Sequence, residues 1–72
     1  MMSKLSVMSG REVVRVFEKH GWEIARQRGS HIILVKTGEN ATLSVPDHKE
    51  VAKGTLRGLL RAAGITIQEF CS

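Results

Sequence analysis

The sequence predicts a small α+β domain in which a three-stranded antiparallel sheet packs on two helices, in the order helix, strand, strand, strand, helix. Three observations point to it. The apolar period is helical from Val13 to His20, changes to that of strands between Trp22 and Val45, and becomes helical again from Lys53 to Ala63. Gly21, Gly29, Gly38 and Gly64 stand at the changes of period, where turns and helix ends need them. The strand-like runs are separated by short turns, which suits an antiparallel meander with one face against helices.

The first helix is announced by Ser9-Gly10-Arg11-Glu12, a capping box in which the Ser9 hydroxyl accepts from the amide three residues on and Glu12 reaches back. Val13, Val14, Val16, Phe17 and His20 then recur at three- and four-residue spacings, with Arg11, Arg15, Glu18 and Lys19 mostly on the other side. Gly21 ends the helix as a C-terminal cap. His20, in the last turn, suits the helix dipole and is assigned a structural role.

A first strand runs from Trp22 to about Arg28, Gly29-Ser30 makes a turn, and His31 to Lys36 forms the second strand. Thr37-Gly38-Glu39-Asn40 is the next turn, followed by the alternating run Ala41-Thr42-Leu43-Ser44-Val45, which Pro46 stops. The second strand is apolar on both sides, with Ile32 and Leu34 on one and Ile33 and Val35 on the other. The N-terminal segment, a second copy of the chain in a homodimer, or a partner protein are the candidates to cover the second side.

Asp47 to Val51 reads as a loop. The helix after it carries Leu56, Leu59, Leu60 and Ala63 in one stripe, with Arg57 and Arg61 exposed one turn apart, and Gly64 stops it. Thr66-Ile67-Gln68-Glu69 repeats the capping box and opens a short terminal turn through Phe70. Residues 1–8 read as a flexible N-terminal extension and residues 9–72 as one domain.

Composition narrows the function classes. A chain of 72 residues with 42% apolar and 25% charged residues forms one ordinary core with no biased tract. Eleven Lys and Arg against seven Asp and Glu give a net charge of +4 and a pI near 9.9, which favours polyanions or an acidic partner. Cys71 stands alone, which rules out an internal disulfide and fits a reducing cytoplasm. No run has the length of a signal peptide or a membrane span, and the histidines lack zinc-ligand spacing, so no metal, cofactor or membrane is expected.

The chemistry concentrates in Arg26-Gln27-Arg28-Gly29-Ser30-His31-Ile32. Imidazole exchanges protons near neutrality and guanidinium holds phosphate, the groups that metal-free RNA cleavage needs. With a two-residue turn, Arg26, Arg28 and His31 share one face; a three-residue turn would separate them. A second phosphate candidate is Lys53-Gly54-Thr55, where a helix start offers exposed amides beside a lysine, with Arg57 one turn further on. Ser30 belongs with the phosphate-binding candidates, and His48 is an auxiliary acid, base or substrate contact.

Helix, three strands, helix is the order of the double-stranded-RNA-binding fold. The local strings Ser9-Gly10, Arg26 to His31, Val45-Pro46-Asp47-His48 and Lys53-Gly54-Thr55-Leu56-Arg57, continuing through Leu60 to Gly64, make the chain resemble the HicA, or YcfA-like, toxin family from Met8 to Phe70. Trp22 stands where that family commonly has phenylalanine. The resemblance implies an mRNA interferase that cleaves RNA and arrests translation, a HicB-type antitoxin as partner, and His31 as the catalytic residue. A non-catalytic RNA-binding module and an interaction protein held by an acidic partner are the alternatives.

Overall fold

The computed structural model describes residues 7–72, with α1 (Gly10–Lys19), β1 (Glu23–Arg28), β2 (His31–Val35), β3 (Leu43–Pro46), α2 (Lys53–Ala63) and α3 (Ile67–Phe70) in chain order. The three strands form one antiparallel sheet in the order β1-β2-β3. Of the expected extension over residues 1–8, positions 1–6 lie outside the described residues. Met8 packs against the core, and its carbonyl accepts from the Val51 N–H at 2.8 Å.

Both predicted capping boxes form. Ser9 Oγ accepts from the Glu12 N–H at 3.2 Å while Glu12 Oε1 accepts from the Ser9 N–H at 2.8 Å, and Thr66 and Glu69 repeat the exchange at α3. These hydrogen bonds, first those from the backbone and then those with the side chains, hold the Glu12 and Glu69 carboxyls below the usual carboxylate range.

The other end of α1 also follows the local code. Gly21, at φ 94°, lets its own N–H reach the Glu18 carbonyl and the Trp22 N–H reach the Phe17 carbonyl, both at 3.1 Å. This double closure is a Schellman motif, and it brings Trp22 edge-on to Phe17 with ring centroids 6.4 Å apart. His20 is the C-cap residue, in the structural place expected of it.

The core lies between the helices and one face of the sheet. Ile32 and Leu34 of β2 and Leu43 and Val45 of β3 meet Val13, Val14 and Phe17 of α1 and Leu56, Leu59 and Leu60 of α2. Period-2 alternation in the strands and the helical stripes place these residues inward, so the burial follows directly from the sequence pattern.

Trp22 is buried, and its indole Nε1 has no acceptor among the described residues. Such an orphaned donor costs about 1–3 kcal/mol. Replacing Trp22 by phenylalanine removes that penalty but leaves a small void, which destabilises by ~24 cal/mol per Å³. The opposing terms should leave Trp22→Phe within about 1 kcal/mol of the wild-type stability, read from urea unfolding midpoints.

Candidate functional site

The β1–β2 connection settles which side chains share a face. Arg28 pairs directly with His31, leaving Gly29-Ser30 as a two-residue turn. Gly29 has φ 59° and Ser30 is not in the left-handed region, the pattern of a type II′ turn with glycine first. Arg26 pairs with Ile33 two residues along, so Arg26, Arg28 and His31 project from the face opposite the core.

A bulge changes the strand nearer its start. The register slips between Ile24 and Arg26, so Ile24 pairs with Leu34 and Glu23 with Val35. Ala25 is the extra residue. Regular alternation would have put Ile24 beside the arginines. Instead it turns toward the helix side, where it lines a groove with Val14, Arg15 and Ile32, and Glu23 takes its place on the open face.

On that open face Arg28, Gly29, His31, Ile33 and Ser44 line a depression of about 620 Å³. His31, Arg26 and Arg28 are exposed, and among the described residues neither arginine makes an ion pair. Ile33 is half-buried and Val35 is 39% exposed, so the described residues leave the second face of β2 partly open. Ser44 comes into the site by pairing with Ile33. The alternation of β3 signalled its face; only the pairing with β2 brought it beside His31.

The turn carrying His31 is tied down from outside the hairpin. The Asp47 N–H donates to the Ser30 carbonyl at 2.7 Å, and Pro46 pairs with His31 across β2 and β3. His48 is exposed in the loop that follows, and its carbonyl accepts from the Gly10 N–H at 2.9 Å.

Lys53, Gly54 and Thr55 occupy the first turn of α2 and are exposed, as is Arg57 one turn on. The N-cap is Ala52, which makes no side-chain capping bond, and the first turn has no acidic residue. That leaves the helix-start amides without a side-chain acceptor. Among the described residues no three His, Cys, Asp or Glu side chains converge as a metal site would need, and no helix is long and apolar enough to cross a membrane.

The family model described as the HicA toxin of bacterial toxin-antitoxin matches residues 10–65. The chain belongs to the HicA toxin family. A solved structure, a toxin-antitoxin complex from Streptococcus pneumoniae, contains a chain 37% identical to this one, with a TM-score of 0.72 over 81% of this chain and 98% of that one. No curated protein sequence matches. The HicA match starts at Gly10 in the first turn of α1 and runs past the end of α2, so it includes the hairpin, the 46–48 segment and the α2 N-terminus. A toxin role in a toxin-antitoxin pair follows from membership.

Proposed function

We propose that this HicA toxin is a metal-independent endoribonuclease, an mRNA interferase that cleaves mRNA in the cytoplasm and so arrests translation. The observation that carries the reading is His31 paired with Arg28 at the rim of an open depression, with Arg26 on the same face. A general acid or base stands there beside cations that have no carboxylate partner.

In the proposed reaction a base takes the proton of a ribose 2'-hydroxyl, whose oxygen attacks the adjacent phosphorus. The P–O5' bond breaks as the new bond forms, and an acid protonates the leaving 5'-oxygen. The products end in a 2',3'-cyclic phosphate and a 5'-hydroxyl. His31 performs one of the two proton transfers; His48, water or a histidine from a second copy supplies the other. DNA lacks the nucleophile and stays intact. Arg26, Arg28 and Ser30 hold phosphate near the scissile bond, and Lys53, Gly54, Thr55 and Arg57 bind the strand at the start of α2.

The partner is a HicB-type antitoxin that covers the same face. Ile33 and Val35 form an apolar centre with Arg26 and Arg28 toward the hairpin tip and Glu23 opposite Val35, which suits a protein that offers apolar contacts and, near the tip, carboxylates to replace the phosphates.

The deciding experiment follows a defined RNA and the matching DNA with purified toxin in EDTA, with and without antitoxin. Cleavage of the RNA alone, to cyclic phosphate ends and blocked by antitoxin, is the expected result; intact RNA, or cleavage restored only by added divalent metal, would sink the reading. The arginines are tested separately. Arg26→Ala and Arg28→Ala should weaken RNA binding, and each should flatten the log Kd against log salt plot by ~0.7 for every single-strand phosphate that the guanidinium no longer neutralises.

A further inference from the structure

Asp47 follows Pro46, the residue opposite His31 across the sheet, and its carboxylate turns to the helix side, where Gln27 and Arg11 lie. Its ion pair with Arg11 is a surface pair of little stabilising value. Its hydrogen bonds give it another use. Asp47 Oδ2 accepts from Gln27 Nε2 of β1 at 3.2 Å and from Arg11 Nη2 of α1 at 3.3 Å. The same Gln27 Nε2 also donates to the Gly29 carbonyl at 3.2 Å. On the other side of the turn, the Asp47 N–H holds the Ser30 carbonyl at 2.7 Å.

Both residues of the Gly29-Ser30 turn therefore have their carbonyls bound in one array centred on Asp47, and His31 is the next residue in the chain. A two-residue hairpin tip on an edge strand has no core packing of its own to restrain it; β1 is exposed throughout. We propose that Asp47 is a positioning residue for the cleavage reaction, and that its carboxylate, through Gln27, locks the turn so that the His31 imidazole is held in its place on the open face. The inference rests on His31 acting in catalysis.

The carboxylate and the backbone N–H can be separated by mutation, because any residue but proline keeps the N–H. Asp47→Ala removes the acceptor, Asp47→Asn keeps an acceptor oxygen for Gln27, and Gln27→Ala removes the other half of the array. RNA cleavage is measured as kcat and KM, alongside amide hydrogen exchange across residues 28–32 and thermal unfolding, with His31→Ala in parallel.

Asp47→Ala is expected to lower kcat by about tenfold or more without raising KM, and Asp47→Asn to stay within about threefold of wild type, since small displacements of a catalytic group are expensive in rate. Exchange at the turn should rise by about tenfold in Asp47→Ala while the unfolding temperature still leaves the protein folded at the assay temperature. Gln27→Ala should match it, and the double variant Gln27→Ala with Asp47→Ala should lose no more activity than either alone. Wild-type kcat in Asp47→Ala, or a change confined to KM, would overturn the positioning role while leaving His31 in place. Cleavage that survives His31→Ala would instead remove the catalytic reading on which this one depends.

Discussion

Alanine at His31 is expected to lower RNA cleavage by about 10²- to 10⁴-fold, the range that a positioned general acid or base supplies. The loss should fall on kcat, since in the proposed reaction phosphate is held by Arg26, Arg28 and the start of α2. Folding should be untouched: His31 is exposed, its side chain makes no hydrogen bond among the described residues, and its backbone pairing with Arg28 and Pro46 does not depend on the side chain. A single-turnover time course on defined RNA, with circular dichroism melting of both proteins, checks both halves. Equal cleavage by the variant would put the chemistry elsewhere on the chain. Loss of cleavage together with loss of the fold would make His31 structural, against everything its exposure indicates.

A large stability effect is expected at Gly10, a residue with no polar side chain and no part in the proposed chemistry. Gly10 is buried at the start of α1, and a Cβ there would overlap the Pro46 carbonyl oxygen and stand 3.0 Å from Asp47 Cα. Both obstacles are backbone, so neither can swing aside. Gly10→Ala should therefore push α1 away from the 46–48 segment and strain or break the Gly10 N–H to His48 carbonyl hydrogen bond. Overpacking of this kind costs about 1–3 kcal/mol and a broken hydrogen bond about 1 more. In a domain of this size that lowers the melting temperature by roughly 10–30 °C.

Gly58 supplies the contrast. It lies inside α2 with nothing within 4 Å of a Cβ position, so Gly58→Ala should stabilise by about 0.5–1 kcal/mol through the helix preference of alanine. Differential scanning calorimetry of the two variants beside wild type tests the pair. Similar shifts in the same direction would mean that Gly10 is not a packing glycine. Because Pro46 faces His31 across the sheet, Gly10→Ala should also slow cleavage at temperatures where it remains folded.

Much of the fold was legible because its causes lie close together in the chain. The two capping boxes need only residues three apart, the Schellman closure needs Gly21 and its neighbours, and the helical stripes and strand alternation are periodic over a few residues. The site was legible for the same reason: Arg28 and His31 are three residues apart, and a glycine-first turn between them pairs them across the hairpin. What sequence left open was whether the turn held two residues or three, and the register decided for two.

Other features depend on residues far apart in the chain. The Ala25 bulge is set by how β1 must pair with β2 while Ile24 turns to the helix side, and no residue in Glu23-Ile24-Ala25-Arg26 marks it. Ser44 joins the site only through the pairing of β3 with β2. Gly10 read as part of a helix start and Asp47 as part of a loop; their roles appear only when α1, the hairpin tip and the end of β3 converge. Capping, periodicity and turn chemistry act between near neighbours and were determined by the sequence alone. The close approach at Gly10 and the bonds to Asp47 join residues 17 to 37 positions apart, and only the packed tertiary structure brings such groups within van der Waals or hydrogen-bond reach.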